Sequence, residues 1–150
     1  MELITQFSIM LVNKPGVLAQ VTRTLAQARI NIVAMTMMDS SEHGVLRVVA
    51  KDVDHVRRAL TPLNLPMTET EVLLVDMSNR AGALAEVCGK LAESHINITY
   101  AYCTTGARGG KATAIFKVSD VKKATKVLKA SQRKLSDTKQ QLRRSPAGRA

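Results

Sequence analysis

Two short runs in this chain place a carboxamide and a glycine at the start of a helical pattern. Asn13-Lys14-Pro15-Gly16 and Asn79-Arg80-Ala81-Gly82 each stand between an apolar stretch and a segment with helical spacing. Glycine there removes the side chain that would block backbone approach, and the first-turn N–H groups of a helix lack carbonyls to bond. Such a place suits a carboxylate. The neighbouring Asn carboxamide can accept from an ammonium group while also donating, so the turn matches both ends of an amino-acid zwitterion. An Asn that merely caps the helix, with a Gly that merely allows the turn, would need the same residues. Asn31 and Asn97, after the two helical segments, carry a similar ambiguity, since Asn tolerates the left-handed conformation that closes a helix.

Other chemistry finds little support. His43, His55 and His95 fall on different elements, and no Ser/His/Asp or Cys/His spacing is present. The acidic residues sit mainly at caps, turns and helix surfaces, with no pair placed for acid–base work. Gly109-Gly110-Lys111-Ala112 fails as a phosphate loop, because Thr105 stands where the first Gly is needed and Ala112 replaces Ser or Thr. Cys88 and Cys103 are isolated thiols without CxxC or His at metal spacing, so neither a metal nor a cofactor is expected. Tyr100 and Tyr102 share a strand face, but the first copy has Ala34 and Thr36 in their place and no RNA-binding aromatic run, so a nucleic-acid partner is disfavoured.

The elements that must position these residues belong to a chain of 150 residues, 45% hydrophobic and 3% aromatic, long enough for one domain or two small ones sharing a core. Its net charge of +10 is unevenly spread. Residues 1–121 hold 12 Lys+Arg against 11 Asp+Glu, whereas residues 122–150 hold 10 against Asp137 alone. The charge is therefore a property of the C-terminal end, expected to be a solvated basic tail over 136–150. No apolar run approaches the roughly 18 residues of a membrane span, and no secretory pattern opens the chain, so a cytoplasmic protein without membrane contact is expected.

An internal repeat organises the sequence. Residues 13–32, NKPGVLAQVTRTLAQARINI, and 79–98, NRAGALAEVCGKLAESHINI, share ten of twenty positions at a constant offset of 66. Phe7, Ile9 and Leu11 alternate as a strand, and Leu18, Val21 and Leu25, matched by Leu84, Val87 and Leu91, form a helical stripe. A hairpin follows in each copy, with Ile32 to Met38 and Val45 to Ala50 in the first. A second helix comes next, capped by Asp52 or Asp54 in the first copy and by Ser119 or Asp120 in the second. Pro66 to Met77 runs from copy one into copy two with no linker. A weakly supported strand near 132–135 would close the second unit. The fold class expected is α+β: two ferredoxin-like βαββαβ modules side by side, 1–70 and 71–135, with the helices on one face of an extended antiparallel sheet. Met10, Val12, Val33, Met35, Met37, Leu73 and Val75 suggest that the other face is also apolar, which predicts a homodimer in which a second chain covers it.

The repeated segment resembles the signature of the ACT domain, a ferredoxin-like module found as a regulatory unit in enzymes of amino-acid metabolism. Both copies match over nearly their whole length, and the ETEVLLVDM junction and INITYAY segment resemble stand-alone tandem ACT proteins without a catalytic domain. The resemblance implies sensing of a small molecule, commonly an amino acid, at module interfaces, with an enzyme or regulator as the partner informed. It implies candidate ligand contacts at Asn13, Pro15, Gly16, Val17, Leu18 and Asn31 in copy one, and at Asn79, Gly82, Ala83, Leu84 and Asn97 in copy two. Copy two departs in having Ala81 for Pro15, and Leu11 and Met77 stand where some amino-acid-binding members carry His. A structural or protein-interaction module without a small ligand is the competing reading.

Overall fold

The computed structural model describes residues 1–38, 43–105 and 110–131; the expected strand near 132–135, the basic tail and the tips of both hairpins lie outside them. Strand β1 (Glu2–Val12) leads through the first turn into α1 (Val17–Gln27), then β2 (Ala34–Met38), β3 (His43–Val49) and α2 (Val53–Leu60). After a short 3-10 turn, Thr61–Leu63, come β4 (Met67–Ser78), α3 (Ala83–Glu93), β5 (Ile98–Thr105) and β6 (Lys111–Val118). A last helix, α4, spans 121–131. The six strands form one sheet in the order β2-β3-β1-β4-β6-β5, with every neighbouring pair antiparallel. No helix among the described residues is long and apolar enough to cross a membrane.

Strand β4 belongs to both halves. Its residues 67–74 pair with β1, and its residues 73–78 pair with β6, so one uninterrupted strand is the last of the first ferredoxin-like unit and the first of the second. The run from Pro66 to Met77 contains no glycine and alternates well enough to stay extended throughout.

The helices pack on one face over two cores of matching design. Phe7, Ile9 and Leu11 of β1 meet Val21 and Leu25 of α1 and Val56 and Leu60 of α2. Leu73 and Val75 of β4 and Phe116 of β6 meet Val87 and Leu91 of α3 and Ala124 and Leu128 of α4. Each core thus holds one of the chain's two phenylalanines. The helix starts follow the local rules: Asp52 accepts from the His55 N–H at 2.9 Å, and Asp120 accepts from the Lys123 N–H at 2.9 Å. The bidentate Arg57–Glu69 fork (2.7 and 2.8 Å) ties α2 to β4 and holds the Glu69 carboxyl below its ordinary range. Leu84 departs from the expected stripe. It is exposed, and Ala83 fills the buried position at the start of α3.

The second face differs from expectation. Leu73 and Val75 lie in the helix-side core, and Met35 and Met37 pair with Val48 and Leu46, which face the helices. What faces the other way is a third cluster of Ile4, Ala34, Val49, Val72, Leu74 and Ile115, with Val33 and Tyr102 packed against it. The sheet curls so far that its edge strands, β2 and β5, approach each other, and this concave face largely buries itself. A second chain is therefore not needed to cover its middle. Met10 and Val12 remain exposed on that face at one end, with Met38 beside them.

Candidate functional site

The sequence repeat is also a backbone repeat. In the first turn the Lys14 N–H donates to the Val12 carbonyl at 2.8 Å, Val17 to Lys14 at 3.4 Å and Gln20 to Gly16 at 2.9 Å. In the second, Arg80 donates to Ser78 at 2.9 Å, Ala83 to Arg80 at 3.3 Å and Glu86 to Gly82 at 2.9 Å. Gly16 has φ 88° and Gly82 has φ 84°, each at the N-cap. A Cβ on Gly16 would meet nothing within 4 Å, and one on Gly82 only Arg80 Nη1 at 3.8 Å. The glycines are therefore required by the left-handed backbone, not by crowding within the chain, and the space in front of each helix start is open. A glycine N-cap offers no side-chain acceptor, and the amides of Leu18 and Ala19 have no carbonyl one turn back.

The structure separates Asn31 and Asn97 from helix closure. The left-handed residues that end α1 and α3 are Arg29 (φ 56°) and His95 (φ 54°). Ile30 then donates to Leu25 and Ile96 to Leu91, each at 2.9 Å, and Arg29 and His95 donate back to Ala26 and Ala92. Closure is complete before either Asn is reached. Asn97 is anchored by its backbone, its N–H donating to Ser119 Oγ at 3.1 Å and its carbonyl accepting from the Ser119 N–H at 2.9 Å.

Strand register places the four asparagines in two pairs. Asn13 follows the C-terminal end of β1, whereas Asn31 precedes β2, which runs parallel to β1, so α1 carries the chain between opposite ends of the sheet. The second copy does the same, and β1 and β4 are antiparallel. Asn13 and Asn97 therefore share one end, and Asn31 and Asn79 share the other. The members of each pair belong to positions three strands apart in the sheet order. Pro15 and Gly16 are exposed beside Asn13, Val17 and Leu18 are half-buried, and Ala83 is buried beneath the exposed Leu84.

Two hollows adjoin the end that carries Asn31 and Asn79. One of about 390 Å³ lies where β4 meets α3, lined by Met77, Ser78, Arg80, Ala83 and Glu86, with the Arg80–Glu86 ion pair across it. In the first copy Lys14 and Gln20 stand at the equivalent positions, so no acidic partner matches Glu86 there. Asn31 lines a second hollow of about 310 Å³ with Arg29, Lys51 and His55. Among the described residues no group of three or more His, Cys, Asp or Glu could hold a metal ion. The Cys103 thiol is pushed above its ordinary pKa, chiefly by loss of hydration, which disfavours a nucleophilic thiolate.

A polar cluster that was not anticipated links the modules across the concave face. Gln6 of β1, 0% exposed, donates to Tyr100 Oη at 2.7 Å and to Ser8 Oγ at 3.1 Å, and accepts from the Tyr102 hydroxyl at 3.0 Å. Arg47 of β3 stacks 4.0 Å from the centre of the Tyr100 ring. The two tyrosines do share a face, but their hydroxyls are engaged and Arg47 covers one ring. They form no open stacking platform for bases. The available signal was Gln6 itself, an amide in the middle of an otherwise well-buried strand.

Burial, and next the neighbouring Tyr100, push the Tyr102 phenol above the ordinary tyrosine value, while Arg47 opposes this. The folded pKa exceeds the unfolded one, near 10, so the unfolded chain loses that proton first. Stability is expected to be untouched by this group below about pH 10 and to fall above it. Urea midpoints measured across the alkaline range should decline less steeply in Tyr102→Phe; an identical slope would reject the assignment.

The comparisons with known proteins agree with this architecture. Residues 2–142 match the family described as an ACT domain pair. A solved structure of a protein from Bacteroides thetaiotaomicron is 32% identical, with a TM-score of 0.80 over 87% of this chain and 89% of that one. The ligand-free regulatory subunit of aspartate kinase from Thermus thermophilus is 14% identical, with a TM-score of 0.69 over 89% of this chain and 97% of that chain. The corresponding subunit from Thermus flavus gives 17% identity and a TM-score of 0.60 over 86% and 93%. At these low identities the two subunits share the fold. No curated protein matches. With the repeated turn, the shared strand and a match spanning nearly the whole chain, the protein belongs to the ACT domain pair family.

Proposed function

We propose that the chain is a non-catalytic regulatory protein that binds a small ligand, an amino acid, at interfaces of its ACT modules and reports occupancy to an enzyme or regulator. The carrying observation is the helix start with an N-cap glycine in the left-handed region, built twice from the same Asn-x-x-Gly pattern with open space before it. Release of Asn31 and Asn97 from helix closure supports their use for ligand. The regulatory aspartate kinase subunits supply a precedent in fold. We assign the modules to 1–70 and 71–135, meeting within β4, and a basic tail to 136–150. Asn13 and Asn97, and Asn31 and Asn79, come from positions three strands apart in the sheet order, and we assign the completion of each site to a second copy. The homodimer then rests on the sites and on the exposed Met10, Val12 and Met38 of the concave face.

Thermal shift against the twenty amino acids at millimolar concentration is expected to reveal at least one that stabilises the chain. Gly16→Val and Gly82→Val should each remove part of that response and cost about 1–2 kcal/mol of stability, from a β-branched residue held at positive φ. No stabilisation by any amino acid would reject the sensing role. It would favour the protein-interaction reading, for which the Met-rich edge strand β2 speaks. Light scattering should give twice 16.3 kDa; a monomer at tens of micromolar would reject a site completed by a second copy.

A further inference from the structure

The concave face holds a cation that no described residue neutralises. Arg47 stands in register with Ser8 on β1 and Thr36 on β2, both uncharged. Its Nε is buried without a hydrogen-bond partner, and its Nη1 faces Met38 Sδ at 2.6 Å, a thioether being a weak acceptor. The three ion pairs of the described residues, Arg57–Asp54, Arg57–Glu69 and Arg80–Glu86, leave it out. Gln6 engages both tyrosine hydroxyls and Ser8, so it makes no bond to Arg47. A half-buried guanidinium that makes no ion pair among the described residues is suited to an anion.

Two residues further along the same strands the face turns apolar. Met10, Val45 and Met38 stand in mutual register on β1, β3 and β2, on the side that carries Arg47. Met10 is 47% exposed and Met38 49%, so they form an open ledge beside the charge. Methionine side chains adapt to apolar shapes of different length. None of the described residues in register with Arg47 or the ledge is a carboxylate.

We propose that the concave face binds an aliphatic monocarboxylate, its carboxylate on the Arg47 guanidinium and its chain along Met10, Val45 and Met38. This site lies on the sheet face opposite the helices, and its charged group is a guanidinium, whereas the helix-start turns offer backbone amides. The chain's only tyrosines, Tyr100 and Tyr102, lie on this face and there is no tryptophan, so ultraviolet-excited emission reports on it alone.

The test titrates the full chain with acetate, butyrate and hexanoate while tyrosine emission is followed. A saturable change is expected, with the dissociation constant falling about two- to fourfold per added methylene. Gly16→Val should leave it intact, which separates this site from the proposed sensing site. Arg47→Met should abolish it. Met38→Ser, a change at an exposed position, should keep the acetate response and weaken the gain with chain length, which preserves the test if Arg47→Met fails to fold. Three results would each overturn the proposal: no saturable change at tens of millimolar, an equal response to inorganic phosphate, or a response that tracks self-association by light scattering because a second copy occupies the ledge.

Discussion

Phe116→Ala is expected to lower the unfolding free energy by about 3–5 kcal/mol, and Phe7→Ala by a similar amount, each in a single transition. Both rings are fully buried, one in each helix-side core, and the chain has no other phenylalanine or any tryptophan to fill the space. Phe116 faces Leu73 across the β4–β6 ladder, and Leu73 faces Leu3 across the β4–β1 ladder, so damage to the second core reaches a strand that the first unit needs. Two independently folded modules would lose only the injured half and show two denaturant transitions. Coincident loss of helical circular dichroism and tyrosine emission checks the single transition. A biphasic curve in either variant would show that the shared strand does not couple the cores.

Gln6→Leu should cost about 2–4 kcal/mol although it is nearly volume-conserving and more apolar. The substitution removes the acceptor of the Tyr102 hydroxyl and the donor to Tyr100, and an orphaned hydroxyl in a desolvated site costs about 1–3 kcal/mol. Replacing the partners as well should recover most of the loss, because an apolar cluster without unmatched polar atoms is nearly neutral against a satisfied one. The triple variant Gln6→Leu, Tyr100→Phe, Tyr102→Phe is therefore expected to melt close to the parent and above Gln6→Leu alone. A single Gln6→Leu that unfolds at the parent's denaturant midpoint would reject the hub.

The sequence made much of this architecture readable because the repeat doubled every local signal. Gly16 and Gly82 marked the helix starts, Asp52 and Asp120 the caps, and the unbroken Pro66–Met77 run the absence of a linker. Period-two alternation could not assign faces in the Met-rich strands. Whether Met35 or Met38 faces the helices depends on pairing with Val48 and Val45, and register is a tertiary property. The curl of the sheet was equally hidden, since twist accumulates over six strands and leaves no mark on any one of them. The Arg47–Tyr100 contact joins β3 to β5, strands far apart in both sequence and sheet order, so no spacing rule could find it. The residue that closes each helix was hidden for another reason. Asn is the expected left-handed residue after Gly, yet Arg29 and His95 take that conformation, held by the Ile30 and Ile96 bonds that follow.

A strand that serves two ladders cannot slide. Moving β4 by one residue against β1 would turn Leu73 and Val75 away from α3 and α4 and bring Val72 and Leu74 in their place, because side chains alternate with a period of two. The same step would break register with β6, so two cores would be inverted at once. The sheet therefore acts as a fixed chassis, and under the proposed sensing role a response to ligand falls to the helices hung on it, joined at Gly16 and Gly82. Under that proposal the expected signal is a tilt, read at the far ends of α1 and α3, and not a shear between the halves.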